Sequence, residues 1–173
     1  MLIGLSGYAQ SGKDTIANYL IKDHGFIRRA FADNLRNVLY DLNPMLESGF
    51  LQAKVDVEGW DKAKQHPEVR RLLQDLGLAA RNHIHPEVWV SAALDRVLND
   101  RIVVTDVRFL NEARAIKERG GEIWRVERPG VGAVNNHISE TEMDGYKFDQ
   151  VLINEAGLDH LYNQVLLSMG VRL

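Results

Sequence analysis

GLSGYAQSGKDT, Gly4 to Thr15, is the stretch whose reading decides the fold. Leu2 and Ile3 precede it and Leu5 lies inside it, a short apolar run suited to a buried strand. TIANYLIKD follows, with Ile16, Tyr19 and Leu20 at helical spacing. Strand, glycine-bounded loop and helix form the setting of a phosphate-binding loop. Gly7 and Gly12 bracket Gln10 and Ser11, and Lys13 follows at once. The glycines let the backbone turn its N–H groups toward one point. The helix N-terminus adds partial positive charge there, and Lys13 adds a full one within reach of the outer phosphates. The strict pattern then asks for Ser or Thr; here Asp14 comes first and Thr15 second. A chance glycine-rich turn is the competing reading, and the flanking strand and helix speak against it.

Outward from this loop, FIRRAFA (Phe26 to Ala32) reads as a second strand. Asp33 to Asn43 reads as a helix with Leu35, Val38, Leu39 and Leu42 on one face, stopped by Pro44. Residues 45–66 show no clear period and are expected to form an excursion over the main fold, partly helical and mobile. Pro67 opens a helix with Val69, Leu72, Leu73 and Leu76 as its stripe and Gly77 as a plausible cap. Pro86 starts another, with Trp89 in its first turn and Val90, Ala93, Leu94, Val97 and Leu98 as its buried side. Ile102 to Val104 are continuous β-branched residues, as in a buried parallel strand. A helix ending at Gly120 and Gly121 and the strand EIWRVERPG follow. Then come a polar loop over 129–147, a strand at Val151 to Ile153 and a last helix with Leu158, Leu161, Tyr162, Val165 and Leu166 inward. Alternation of strands and helices predicts an α/β fold. Its expected form is a five-stranded parallel sheet with helices on both faces and strand order 2-3-1-4-5, in one domain over 1–173. Ligands of such sheets bind at the carboxyl ends of the strands.

The chain has 173 residues, 21 basic against 24 acidic side chains, and no cysteine. Its basic residues are scattered, which argues against a nucleic-acid polymer as partner. Without cysteine there is no disulfide framework, thiol nucleophile or cysteine metal site. The first residues already read as a core strand, leaving no room for a signal peptide. No stretch is long and apolar enough to span a membrane.

Asp106 closes the apolar strand 102–104, the place of an acid that orders a metal ion beside a phosphate loop. The competing reading is an N-cap for the next helix. Arg108, two residues on, is suited to a bidentate phosphate contact. Arg36, Arg70 and Arg71 come from helices expected to border the same cleft, and Gln74 shares a face with Arg70 and Arg71. Trp89 is core or flanks a planar base. Among the histidines, His137 in NHISE is the one to watch, with a structural role the commoner outcome.

The loop GYAQSGKDT, the helix VRRLLQDLG, the Trp of PEVWV, VVTDVRFLNEARA and RVERPG together resemble the phage-type deoxynucleoside monophosphate kinases, in the same order along nearly the whole chain. NHISE and INEAGLDHL add to the resemblance. It implies a P-loop kinase that moves the γ-phosphoryl of ATP, with Mg²⁺, to a deoxynucleoside monophosphate for deoxynucleotide supply. It implies Arg36, Arg71, Gln74, Gly77, Trp89, Arg108 and Glu112 toward the monophosphate, and Asn154 and Gly157 near the adenine; the helix reading adds Arg70 to the substrate side. Gly7, Gln10, Ser11, Gly12, Lys13, Asp14 and Thr15 would hold the phosphates of ATP. Lys13, Arg71, Asp106 and Arg108 would carry the reaction, and Asp14, Thr15 and Asp106 the metal. The expected setting is cytoplasmic, that of a host cell for a phage-encoded chain; monomer and homodimer stay open. One alternative is another small-molecule kinase of this kind, such as a dephospho-coenzyme A kinase. Another is a nucleotide-binding ATPase without acceptor, against which the sequence offers no guanine signature and no switch motif.

Overall fold

The computed structural model describes residues 1–95 and 101–171. In chain order the elements are β1 (Leu2–Ser6), α1 (Lys13–His24), β2 (Ile27–Arg29), α2 (Phe31–Leu42), β3 (Met45–Leu46), β4 (Gly49–Phe50), α3 (Leu51–Glu58), α4 (Trp60–Ala63), α5 (Pro67–His83), α6 (Val88–Leu94), β5 (Ile102–Val104), α7 (Leu110–Glu118), β6 (Glu122–Glu127), α8 (Ile138–Thr141), β7 (Gln150–Ile153) and α9 (Leu158–Ser168). They form two compact units, one of residues 1–30 with 96–173 and one of residues 31–95.

The first unit holds a parallel sheet in the order β2-β5-β1-β6-β7. Counted over those five strands alone the order is 2-3-1-4-5, as the sequence predicts; the labels differ because a two-stranded hairpin, β3–β4, intervenes in the chain. Alternation along β1 sends its side chains to two layers. Ile3 and Leu5 join Ile16 and Leu20 of α1, Trp124 and Val126 of β6, and Leu161 and Val165 of α9 in one core. Gly4 faces the other side, where a Cβ would stand 2.7 Å from Ile116 of α7 and 2.8 Å from Val107. Tyr19 stacks on Tyr162 at 4.1 Å, joining α1 to α9. Leu158, expected inward, is exposed at the first turn of α9, beyond the end of the strand it would cover.

The expected strand over 26–32 is shorter. β2 ends at Arg29, paired with Val104, because β5 ends there too, and Phe31 already begins α2. Val97 and Leu98, expected on the buried side of the helix after Pro86, lie outside the described residues.

In the second unit, Leu39, Leu46, Leu51, Val55, Ala63 and Val69 form a core drawn from α2, β3, α3, α4 and α5. Residues 45–66 are thus a hairpin and two helices. No single element among them is long enough to display a period, which is why the stretch reads as an excursion. On α2, Leu39 is buried while Val38 and Leu42 are exposed, so the apolar stripe is narrower than its sequence suggests. Gly77 does not cap α5, which runs on to His83. A mid-helix glycine costs only about 1 kcal/mol. Here it brings Leu35 of α2 close, 3.3 Å from where a Cβ would be. Its carbonyl accepts the indole N–H of Trp89 at 3.1 Å.

Gly4→Ala is expected to lower stability by about 1–3 kcal/mol, since its methyl meets packed side chains of α7 and the neighbouring strand. Chemical unfolding of the variant measures this, and wild-type stability would show that the layer yields.

Candidate phosphate-binding site

The loop after β1 is held in shape by close approaches. Gly7 has φ +140°, and a Cβ there would collide with the carbonyl oxygen of Val126 and lie 2.9 Å from Ser11 Oγ. Gly12 has φ +112°, and a Cβ there would lie 2.6 Å from Asn154 Nδ2. Gln10 takes a left-handed conformation with φ 67°, an uncommon one for a residue with a side chain. Asn154 donates from Nδ2 to the carbonyl of Ser11 at 2.9 Å, and its own N–H bonds to the Glu127 carbonyl. Asn154 therefore ties the loop to the end of β7. Gly12 is the N-cap of α1 and offers no side-chain acceptor to the first N–H groups of that helix. These N–H groups are donors for an anion.

Lys13 Nζ donates to the carbonyl of Tyr8 at 2.7 Å, folding back over the loop. Burial is the main cause that lowers its pKa, to about 8; the positive charge of Arg108 lowers it further, and Asp14 and Glu140 partly oppose this. Lys13 and Arg108 thus belong to one electrostatic neighbourhood at the carboxyl edge of the sheet.

Asp106 stands in the turn between β5 and α7, half-buried, next to Val107, whose N–H bonds to the carbonyl of Leu5 at 3.0 Å. The helix-cap reading of Asp106 fails, because the N-cap of α7 is Phe109. The start of α7 is instead served by two carboxylates. Glu112 Oε2 accepts the N–H groups of Arg108 and Phe109 at 2.8 and 3.1 Å, and Glu142 Oε1 accepts that of Leu110 at 2.9 Å. Glu112 is only 2% exposed. Its carboxylate shapes the turn that carries Arg108. Arg108 itself donates from Nη1 to Glu140 Oε1 at 2.6 Å and to the carbonyl of Ser139 at 3.2 Å.

Sequence reading missed a third cation here. Arg125 of β6 is buried, pairs with Asp144 at 3.2 Å and lies 4.6 Å over the ring of Tyr8. The Tyr8 hydroxyl donates to the same Asp144 oxygen at 2.7 Å, and this bond is the main cause that raises its pKa. The signal was an arginine inside the apolar strand IWRV; its acidic partner, in the polar loop 129–147, has none. Tyr8, Ser11, Arg125, Arg128, Asp144 and Ile153 line a cavity of about 480 Å³ beside the loop.

For a magnesium ion the side chains to consider are the exposed Asp14 carboxylate, the Thr15 hydroxyl and the half-buried Asp106 carboxylate. Among the described residues no three acidic or histidine side chains gather as a metal cage. That donor set fits Mg²⁺, which keeps several waters and takes one or two protein ligands beside nucleotide phosphates.

The remaining predicted residues belong to the second unit. Arg36 pairs with Asp33 at 3.4 Å and the exposed Arg71 with Asp75 at 3.1 Å. Arg70 and Gln74 are half-buried on α5. Trp89 is 6% exposed and bonded to Gly77, so within this unit it packs as core. Gly157, in the first unit, is the N-cap of α9 with φ 91°.

A parallel sheet in this order, with a glycine-bounded anion loop and lysine after its central strand, defines a P-loop kinase. Shikimate kinase from Aquifex aeolicus has a similar fold, with TM-score 0.50, 14% identity, and 98% of this chain and 96% of that one covered. The sequence profile of deoxynucleotide monophosphate kinase matches residues 57–165. A protein of Acanthamoeba polyphaga mimivirus, named provisionally a deoxynucleotide monophosphate kinase, is 32% identical over 96% of this chain and 94% of its own length. The chain belongs to the deoxynucleotide monophosphate kinase family. Among the described residues no helix is long and apolar enough to cross a membrane.

Glu112→Ala is expected to destabilise the protein by about 1.5–3 kcal/mol, because two N–H groups at the start of α7 lose a charged acceptor. Urea unfolding checks this; an unchanged midpoint would remove Glu112 from the helix start.

Proposed function

We propose that the chain transfers the γ-phosphoryl group of ATP to a deoxynucleoside 5′-monophosphate, giving the diphosphate for deoxynucleotide supply. The observation that supports this most directly is the pairing of Lys13 with Arg108 at one sheet edge, close enough that the charge of Arg108 depresses the pKa of Lys13. Two reacting phosphates repel each other, and bringing them together needs two such cations. The name of the family supports a deoxynucleoside monophosphate as the acceptor.

In this reading Gly7, Gln10, Ser11 and Gly12 turn backbone N–H groups toward the β- and γ-phosphates, and Lys13 neutralises their charge. Arg108 takes the acceptor's phosphate, a planar fork against a tetrahedral anion. Arg71 joins it, with Arg36 and Arg70 adding charge; Gln74, Gly77 and Trp89 bound the sugar and base, and Glu112 sets the turn of Arg108. Asn154 and Gly157 serve the adenine end. Asp14, Thr15 and Asp106 would hold Mg²⁺, which when bound offsets charge on the transferring phosphoryl group. The acceptor phosphate is already largely ionised near neutral pH, so the chain needs no dedicated base. What remains is alignment of the two oxygens. A cytoplasmic setting, that of a host cell for a phage-encoded chain, accords with these substrates.

The deciding assay measures ATP consumption against deoxynucleoside monophosphates, their ribo counterparts and dephospho-coenzyme A. Deoxynucleoside monophosphates should be the best acceptors; preference for dephospho-coenzyme A would replace this reading. Lys13→Ala should lower kcat by about two orders of magnitude or more with the fold intact. Arg71→Ala and Arg108→Ala should each lower kcat/KM for the acceptor by about one to two orders of magnitude while ATP binding is unchanged. Gln74→Ala should mainly raise the acceptor KM and shift base preference; Trp89→Ala should do the same and also cost about 3–5 kcal/mol of stability, because its ring is buried.

The lowered pKa of Lys13 gives a pH test. Bound phosphates favour the charged ammonium and raise that pKa above about 8. ATP affinity should therefore be constant below pH 8 and fall above it, by up to about tenfold per unit. Calorimetry near pH 8 in buffers of different ionisation enthalpy should show proton uptake on binding. Lys13→Met should abolish both effects; their persistence would assign them to another group.

A further inference from the structure

The segment NHISE is not used by the reaction scheme above, yet it is built onto it. His137 is the N-cap of α8, and its Nδ1 accepts the N–H of Ser139 at 3.2 Å. The Ser139 hydroxyl lies 2.9 Å from the same nitrogen, so the turn at 137–139 is locked from both sides. The lock sets two acceptors side by side, the carbonyl of Ser139 and the carboxylate of Glu140, and both receive Nη1 of Arg108. Two residues on, Glu142 accepts the N–H of Leu110 and fastens the same short helix to the start of α7.

The details are those of a built support. The side chain of Glu140 is 5% exposed, against 40% for Arg108. A carboxylate buried to that degree is costly unless paired, and Arg108 is the partner that pays for it. Only one nitrogen of the guanidinium is taken. Among the described residues Nε and Nη2 of Arg108 make no hydrogen bond, and they form the edge that a phosphate receives in bidentate contact. Glu140 also stands near enough to act electrostatically on Lys13, so the anchored arginine is held beside the lysine of the loop.

We infer that Glu140, set by the His137-capped turn, is a positioning residue that holds Arg108 by Nη1 and presents its free Nε/Nη2 edge to the phosphate of the acceptor. This rests on the reading of Arg108 as an acceptor-phosphate ligand. An arginine side chain left free loses much rotamer entropy on binding, and anchoring it beforehand removes that cost from the substrate complex.

The test is a double-mutant cycle in the full chain: wild type, Arg108→Ala, Glu140→Ala and the double variant. The acceptor is whichever of dAMP, dCMP, dGMP and dTMP the wild type uses best. Glu140→Ala should lower kcat/KM for that acceptor by about tenfold or more, the size of a lost charged hydrogen bond. The KM for ATP should stay unchanged, and in the Arg108→Ala background the second substitution should cost nothing further. Glu140→Gln, which keeps the shape and an acceptor oxygen, should recover part of the loss. Additive losses would overturn the inference, because Glu140 would then act elsewhere. A gain of activity in Glu140→Ala would overturn it too, because the carboxylate would then compete with the acceptor.

A second readout does not depend on turnover. In ¹⁵N-arginine spectra the Nε–H signal of Arg108, assigned by its absence in Arg108→Ala, should be ordered in the wild type and lose that order in Glu140→Ala. An equally ordered signal in the variant overturns the inference. Failure of the underlying reading looks different: Arg108→Ala then leaves acceptor kinetics intact, while its signal still loses order without Glu140.

Discussion

Positive charge gathered at one edge of a sheet is the constraint that the first unit is arranged around. Lys13, Arg108 and Arg125 all act on that edge, and Arg108 and Arg125 both depress the pKa of Lys13. Each cation is held by a partner of its own. Lys13 folds onto the carbonyl of Tyr8, Arg108 onto Glu140 and the carbonyl of Ser139, and Arg125 onto Asp144. Three of those four partners, Ser139, Glu140 and Asp144, come from the segment between β6 and β7, so that segment is a source of counter-charge and not a spacer. Held cations in a partly desolvated place attract phosphate more strongly than free ones in water.

The backbone around that edge is under an equally tight restriction. Gly7 and Gly12 have backbone angles that side chains rarely adopt, and both sit against other strands' ends: the carbonyl of Val126 and the side chain of Asn154. Gly4, one turn of the pleat earlier, leaves room for Val107 and Ile116. The loop is thus fitted to the ends of β6 and β7, and β1 to α7. A loop fixed in this way would spare its N–H groups the cost of ordering when they receive an anion.

The second unit follows other rules. Its core is assembled from five elements, and two of its arginines form local pairs, the half-buried Arg36 with Asp33 and the exposed Arg71 with Asp75. An exposed pair such as Arg71–Asp75 contributes little to stability, so Arg71 can exchange its partner for a stronger anion. Trp89 is bound to the carbonyl of Gly77, which couples α6 to α5. A role for Trp89 at the base of a nucleotide therefore runs through the packing of these two helices.

The phosphate loop, the parallel strands and their order were legible in the sequence because each rests on local pattern. The glycines sit at fixed spacing, β1 and β5 are apolar runs between helical periods, and β6 places Ile123, Trp124 and Val126 between charged residues. Lys13, Asp106 and Arg108 were legible for the same reason, since each stands beside the end of a strand. Other features needed the tertiary structure. Glu112 reads as a substrate residue but accepts two N–H groups at the start of its own helix. The helix through Gly77, the hairpin and helices of 45–66, and Arg125 with Asp144 are equally silent in the one-dimensional pattern. Glu140 is the clearest case: it lies 32 residues from Arg108 along the chain and in a segment with no period at all. Periodicity records which face of an element meets the core. Pairing between a strand's end and a distant polar loop leaves no periodic trace, and only the folded chain brings the two charges together.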